Sequence, residues 1–129
     1  MNWVALIVVL ALLEYFVFGA LVGRARGKYA IKAPAVTGNP NFERLFRVHQ
    51  NSLEQLIVFV PAVWLFGLYV SALWAAIVGA VFLAARILYA VGYAVAPERR
   101  EAGAVISSLT EIVLVIGALI GIIRSIVAA

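Results

Sequence analysis

The sequence predicts an all-α membrane protein, a bundle of four transmembrane helices, and three observations lead to that class. Of the 129 residues, 66% are hydrophobic and 12% are charged, whereas a soluble domain has about 45–50% apolar and 25% charged residues. The apolar residues form four stretches long enough to cross a hydrocarbon core, which takes about 20 helical residues. Most of the charges gather between those stretches. At this length we expect a single domain over residues 1–129.

The four helices are expected at about residues 3–22, 40–69, 71–96 and 104–123. The first has one charge, Glu14. Because its start lacks basic residues and its apolar run is long, we expect a retained span and not a cleaved signal peptide. The second begins at Asn39 and Pro40, an N-cap residue followed by a residue suited to the first helical position. Pro61 is expected to bend it, and the short link after it predicts a tight hairpin with the third helix.

The distribution of charge predicts the orientation of the chain. The connections after the first and third helices lie on the same side, because four spans alternate in direction. Together they carry the basic residues Arg24, Arg26, Lys28, Lys32, Arg99 and Arg100. Only Arg124 lies near the opposite side. The positive-inside rule therefore places the basic connections in the cytoplasm and both termini outside. The short connections suit a bacterial inner membrane.

Composition also argues against several kinds of site. The chain has no cysteine, so neither a disulfide nor a cysteine nucleophile is available. With a single histidine, His49, we expect no metal site. The formal net charge of +4 comes from basic residues at the membrane edges, so nucleic acid is not expected as a partner.

A line of polar residues occupies one face at the start of the second helix. Arg47, Asn51 and Glu54 are spaced i, i+4 and i+7, and Arg44 and Gln50 lie near them. A guanidinium binds carboxylates through its planar fork, and a carboxylate accepts from an ammonium. The line therefore predicts a surface that recognises a zwitterionic ligand. The alternative is that these groups pair only with each other and with neighbouring helices.

The third helix carries a second line. Tyr89 and Tyr93 are spaced i and i+4, Arg86 lies one turn deeper, and Arg100 follows beyond the end of the helix. Such tyrosines are often anchors at the membrane interface. Opposite the polar line of the second helix, they instead predict the second wall of a polar pocket.

Four charged residues are expected at a similar depth in the membrane: Glu14, Glu54, Arg86 and Glu111. Isolated charges at helix centres cost at least about 2.5–3.5 kcal/mol each on insertion scales. Arg86 is the only cation deep enough to compensate the acids, so we expect it to pair with Glu111 or Glu14. This pair is interpreted as structural.

At these residues the chain resembles a known family. The stretch FERLFRVHQNSLE contains ERxxRxxxNxxE from Glu43, and it is followed by YxxxY from Tyr89 and by Arg100. Together with four spans and a basic first connection ending in TGNP, the pattern is similar to that of the membrane-associated proteins in eicosanoid and glutathione metabolism (MAPEG). The resemblance covers the whole chain.

The resemblance implies a homotrimer of four-helix bundles, embedded in membrane lipids, with glutathione as co-substrate between adjacent subunits near the cytoplasmic side. By position it implies these glutathione contacts: Arg26, Arg47, His49, Asn51, Glu54, Tyr89 and Tyr93. His49 stands where Gln is more usual. Arg100 matches the arginine that holds the thiol as a thiolate, and a fixed cation has that effect because it lowers the thiol pKa.

The implied function is a glutathione transferase or peroxidase acting on lipophilic electrophiles or lipid hydroperoxides. Gln55 stands where eicosanoid-synthesising members commonly have Tyr, which argues against a close match to leukotriene synthesis. One alternative is a non-catalytic lipid-binding member of the family, although that branch tends to lose the polar pocket. The other alternative is a small multidrug transporter, which is suggested by Glu14 in a chain of four spans. A thiol other than glutathione also remains open.

Overall fold

The computed structural model describes all residues from Met1 to Ala129 and consists of four long helices with short connections. They are α1 (Asn2–Tyr29), α2 (Pro40–Tyr69), α3 (Ala72–Val95) and α4 (Glu101–Ala128), and a 3-10 turn, Pro97–Arg100, precedes α4. All four are long and apolar enough to cross a membrane. The predicted all-α bundle of four membrane-spanning helices is therefore confirmed.

The helices pack with α2 and α3 as the central pair. Both α1 and α4 contact each of these two helices, so they lie on either side of the pair. The α1–α2 and α3–α4 connections lie at one end of the bundle, which we call the basic end because six of the ten Lys and Arg residues lie in or beside these connections. The termini and the α2–α3 connection lie at the other end.

Helix α1 continues to Tyr29, beyond the expected end at residue 22. Of the seven residues added, four are Arg, Ala or Lys, which favour helix and offset the two glycines among them. Arg26 and Lys28 fall in the last turn, where the helix dipole favours cations. The next residue, Ala30, caps the helix: it is in the left-handed conformation with φ 54° and donates its N–H to the carbonyl of Arg26. The basic residues of the first connection thus lie largely on helix. Helix α4 likewise extends beyond the expected range of 104–123, because it begins at Glu101 and ends at Ala128.

Side-chain caps begin the two central helices. The Asn39 Oδ1 accepts from the backbone N–H of Asn41 at 2.9 Å and of Phe42 at 3.3 Å, so this cap forms as its sequence predicts. The Ser71 Oγ accepts from the N–H of Trp74 at 3.2 Å at the start of α3. Helix α2 passes through Pro61 as one continuous helix.

The apolar core occupies the half of the bundle away from the basic end. Its centre is a stacked pair, Phe59 of α2 and Phe82 of α3, with ring centroids 3.8 Å apart. Residues from α1 and α4, such as Val4 and Leu114, pack into the same cluster and are fully buried. Many large apolar side chains on the outside are exposed, as expected for helices that face lipid. The other half of the bundle, near the basic end, is where polar side chains turn inward.

Helix α4 approaches α3 closely at Gly103. A Cβ atom at this position would lie 2.6 Å from the Tyr89 Cα and 2.7 Å from the Ala85 carbonyl oxygen. Backbone atoms cannot move aside as a flexible side chain can, so any side chain here forces the two helices apart.

We expect Gly103→Ala to destabilise the protein by about 1–3 kcal/mol, because it overpacks the α3–α4 contact. The measurement is the unfolding midpoint in detergent, followed by circular dichroism. Gly27→Ala is the matched control, because no atom lies within 4 Å of its Cβ position, and it should be neutral or stabilising. Equal effects of the two substitutions would contradict the packing argument.

Candidate functional site

A polar cavity of about 420 Å³ opens between α2, α3 and the start of α4, in the half of the bundle near the basic end. Its volume falls within the range of about 300–1,000 Å³ found for ligand pockets. It is lined by Arg47, Gln50, Asn51, Glu54, Gln55, Arg86, Tyr89, Tyr93, Arg100, Ala104 and Ser108. The structure thus brings both predicted polar lines, and Arg100, into one cavity.

The α2 wall is the predicted line of Arg47, Asn51 and Glu54. These side chains share one helix face, with Arg47 nearest the basic end and Glu54 deepest. Arg47 is exposed in the single chain, so its guanidinium is free to meet a ligand at the mouth of the cavity. A guanidinium and a carboxylate two turns apart provide contacts for the two ends of a zwitterionic molecule.

The α3 wall consists of the two tyrosines. Tyr89 and Tyr93 are buried, and their rings stack with centroids 5.8 Å apart and planes inclined by 16°. The guanidinium carbon of Arg100 lies 5.2 Å from the centroid of the Tyr93 ring, within cation–π distance. This contact holds the Arg100 head group over the α3 wall at the mouth of the cavity.

The position of Arg100 depends on a close turn. The 3-10 turn folds back over the end of α3, where a Cβ on Gly92 would lie 3.0 Å from the Arg99 carbonyl carbon and closer still to its oxygen. Glycine is therefore required at this point for the turn to pack as it does. Arg44 adds a second link, because it donates to the carbonyls of Ala94 and Val95 at 3.5 Å.

Arg86 forms the floor of the cavity and is 2% exposed. Its Nη2 donates to the Asn51 Oδ1 at 2.8 Å and to the Ser52 Oγ at 3.2 Å, and its guanidinium carbon lies 4.3 Å from the Tyr89 ring centroid. The expectation that Arg86 pairs directly with Glu14 or Glu111 is wrong, because its hydrogen bonds go to neutral groups of α2. The short side chains of Asn51 and Ser52 stand closer to it than either carboxylate does.

The two deep acids are accommodated separately. With its amide nitrogen facing the carboxylate, Gln55 donates to Glu111 Oε2 at 2.8 Å and Oε1 at 2.9 Å. Glu14 lines a small void of about 10 Å³ that Arg86 also lines. Gln55, which lines the cavity, thus links α2 to α4. The residue that stands where eicosanoid-synthesising members commonly have Tyr therefore makes a structural contact of its own.

Two of the predicted site residues lie outside this cavity. Arg26 donates to the Ala35 carbonyl at 2.7 Å, and its guanidinium carbon lies 5.0 Å from the Phe42 ring, so it braces the α1–α2 connection. His49 stacks on Tyr15 of α1, with ring centroids 4.4 Å apart. Within one chain, therefore, Arg26 and His49 lie beside α1, whereas the cavity opens between α2, α3 and α4.

The structure adds α4 residues to the predicted site, and it places Gln50, which lies near the predicted α2 line, on the cavity as well. Ser108 and Ala104 of α4 line the cavity, and Gln50 lies at its edge. The spacing of Ala104, Ser108 and Glu111 at i, i+4 and i+7 places them on one face of α4 and could have indicated this wall.

The cavity carries a net positive charge, because three arginines and one glutamate line it. No group of three or more His, Cys, Asp or Glu side chains comes together as a metal site. The arrangement therefore favours a ligand with an excess of carboxylate over ammonium groups, held by charge-assisted hydrogen bonds.

Comparison with known proteins identifies the family of the chain. The family model described as "MAPEG family" matches residues 4–120. The chain belongs to the MAPEG family. Membership, together with the four apolar helices, makes it a multi-pass membrane protein. The resemblance predicted from the two polar motifs is thereby confirmed.

Several MAPEG relatives are similar over most of their length. An uncharacterized protein of Synechocystis sp. is 52% identical over 93% of this chain and 88% of its own. Microsomal glutathione S-transferase 2 of Bos taurus is 36% identical over 91% of this chain and 80% of its own. Leukotriene C4 synthase of Cavia porcellus is 35% identical over 76% of this chain and 65% of its own.

Proposed function

We propose that this protein is a membrane-embedded glutathione transferase that activates the glutathione thiol for attack on a lipophilic electrophile. The observation that carries the proposal is the single cavity in which Arg47, Asn51 and Glu54 face Tyr89 and Tyr93. Glutathione has two carboxylates and one ammonium, so its charge complements the net positive lining. The name of the relative microsomal glutathione S-transferase 2 supports the same co-substrate.

Each polar group has a role that its chemistry suits. Arg47 binds a glutathione carboxylate through its fork, and Glu54 accepts from the α-ammonium. Asn51, whose amide oxygen is held by Arg86, presents its amide nitrogen to a peptide carbonyl. Tyr89 and Tyr93 offer phenol groups along the opposite wall. These contacts fix the tripeptide so that its thiol lies toward Arg100.

Arg100 is the catalytic residue in this proposal. A thiol has a pKa of about 8.5, and a fixed cation nearby favours the thiolate, which is the nucleophile. The thiol releases its proton to water, and the thiolate sulfur then forms a bond to the electrophilic carbon. A leaving group departs with the electron pair of its broken bond; in an epoxide the C–O bond breaks, and the oxygen, still bonded to the neighbouring carbon, takes a proton from water. Arg100 acts only through charge and position, so no proton needs to leave the arginine.

The proposed assembly is a homotrimer with glutathione between adjacent subunits. Arg26 and His49 lie beside α1, outside the cavity of their own chain. A neighbouring subunit would bring this α1 side to the open cavity, and both residues are proposed to approach glutathione across that interface. The positive-inside rule supports a cytoplasmic position for the basic end and for the site.

The test uses the purified protein in detergent. Calorimetry measures glutathione binding, absorbance in the far ultraviolet measures thiolate formation, and light scattering measures the mass of the assembly. Turnover is then followed with chlorodinitrobenzene as the electrophile and with a lipid hydroperoxide as the oxidant. Binding, a thiolate signal, three chains per assembly and conjugation are the expected results.

Other outcomes of this experiment discriminate between the alternatives. Glutathione binding without turnover of either substrate would favour a non-catalytic member of the family. Hydroperoxide reduction without conjugation would favour a peroxidase. If glutathione does not bind, the transferase proposal fails, and proton-coupled transport sensitive to Glu14→Gln would become the next assay.

We expect Arg47→Ala to weaken glutathione binding about 10- to 100-fold, because a charge-assisted hydrogen bond is worth about 1.5–3 kcal/mol. Calorimetry measures the loss. Arg24→Ala removes an exposed arginine at the same end of the bundle but outside the cavity, and it should leave binding unchanged. An Arg47 variant with the affinity of the parent protein would remove this residue from the site.

A further inference from the structure

A second concave surface lies on the opposite side of the α2–α3 pair from the polar cavity. Its inner part, of about 190 Å³, is lined only by apolar side chains of α1, α2 and α3. Its outer part, of about 290 Å³, lies at the basic end. Leu21 and Leu45 line both parts, so the two parts adjoin, and we call them together the α1–α3 groove. It shares no lining residue with the polar cavity.

The inner part of the groove runs along the membrane-spanning portion of the helices. Phe18 of α1 and Val48 of α2 are buried at its floor, whereas Ile87 and Val91 of α3 are 53% and 60% exposed along its edge. An apolar groove with an exposed apolar edge is open to the hydrocarbon of the bilayer along its length.

The outer part of the groove carries two cations. Arg24 and Lys28 are spaced i and i+4 on α1, both are exposed, and both line this part of the groove. No acidic residue lines either part of the groove, so neither cation has a carboxylate beside it there. Tyr29 lies next to them, with its ring centroid 5.3 Å from the Lys28 Nζ. The outer part is therefore suited to an anionic group.

The dimensions of the groove match one leaflet. Phe18 and Lys28 are ten residues apart on α1, which corresponds to about 15 Å along the helix axis. A bilayer has a hydrocarbon core of about 30 Å, so one leaflet contributes about 15 Å. A lipid with its phosphate at Arg24 and Lys28 would place an acyl chain along the whole apolar part.

We propose that the α1–α3 groove binds one anionic phospholipid from the leaflet at the basic end. The phosphate group lies between the Arg24 guanidinium and the Lys28 ammonium, and one acyl chain lies between α1 and α3, over Val48. A basic pocket between transmembrane helices is a known form of site for acidic lipid head groups. This site is distinct from the glutathione cavity of the same chain, because the two share no lining residue.

The head-group experiment compares dioleoylphosphatidylglycerol with dioleoylphosphatidylcholine, which have the same acyl chains. Native mass spectrometry of the detergent-solubilised protein counts bound lipid and gives an apparent affinity. We expect a preference for phosphatidylglycerol, and about 30-fold weaker binding of that lipid in the double variant Arg24→Gln/Lys28→Gln, because each cation near a membrane surface is worth about 1 kcal/mol.

The matched control for charge is the double variant Lys32→Gln/Arg99→Gln. It removes two exposed cations from the same end of the bundle, outside the groove. It should bind phosphatidylglycerol as the parent protein does. Equal losses in the two double variants would show general attraction to the leaflet and would overturn the site, as would the absence of any head-group preference in the parent protein.

The acyl-chain experiment fills the apolar part of the groove. Ala94→Leu adds a larger side chain at an exposed position that lines it, and we expect phosphatidylglycerol binding to fall about tenfold or more. Ala84→Leu makes the same change at an exposed α3 position outside the groove and should have no effect. Glycerol phosphate, which lacks acyl chains, should not compete. Competition by glycerol phosphate, or an unaffected Ala94 variant, would overturn the proposed acyl-chain path.

Discussion

Replacing Arg100 with alanine is expected to lower the turnover number about 100- to 1,000-fold. A loss of this size is typical when an enzyme loses one preorganised contact that stabilises a negative charge. Glutathione binding should change far less, because Arg47, Asn51 and Glu54 remain in place along the α2 wall. Arg100 is exposed and lies in a short 3-10 turn, so its loss should cost little stability. Steady-state kinetics and calorimetry on the same preparation separate the two effects.

The pH dependence identifies the role of Arg100. A nearby cation lowers the pKa of the bound thiol below its usual value of about 8.5, and without the cation the pKa returns toward that value. The deficit of the Arg100→Ala variant should therefore be largest near neutral pH and should narrow as the pH rises. Arg99→Ala, a change at the adjacent exposed arginine, is the control. A deficit that is the same at every pH would contradict thiolate stabilisation.

Replacing Arg86 with alanine is expected to produce the largest loss of stability, about 3–5 kcal/mol, because it leaves two hydrogen-bond acceptors of α2 without their donor, at about 1–3 kcal/mol each, and opens a cavity. The change would leave Asn51 and Ser52 without their donor and would leave Glu14 beside an enlarged void. The free energy of unfolding can be followed in mixed micelles by circular dichroism. A loss below about 1 kcal/mol would contradict the central structural role assigned to Arg86.

Two further variants test why Arg86 matters. If its charge offsets that of Glu14, the double variant Arg86→Ala/Glu14→Gln should be less destabilised than the sum of the two single changes. Arg44→Ala is the matched control, because Arg44 is only partly buried and donates to carbonyls at 3.5 Å, so its loss should cost about 1 kcal/mol or less. An additive Arg86–Glu14 cycle would show that the two groups act independently.

The two polar lines were predictable because each is set by spacing within one helix. Arg47, Asn51 and Glu54 must share a face whenever that segment is helical, and so must Tyr89 and Tyr93. The expectation that the two lines face each other is confirmed by the common cavity. Their roles toward glutathione stay predictions until binding is measured.

The partner of Arg86 was not predictable from depth alone. Counting residues from the helix ends placed Glu14, Glu111 and Arg86 at similar levels, but depth does not give rotation about a helix axis. In the folded bundle, Asn51 and Ser52 point at Arg86, and Gln55 engages Glu111 instead. The rotation of each helix about its own axis decides which of its polar groups come into contact with a neighbouring helix.

The sequence by itself determined the class of this protein, its four spans and the residues along each polar face. These follow from local rules, because hydrophobic length sets a span and helical period sets a face. Tertiary structure decided which helix faces meet. This packing placed Arg26 and His49 away from the cavity and formed the α1–α3 groove. The physical reason is that helix packing depends on side-chain shapes brought together from distant parts of the chain, such as Gly103 against Tyr89.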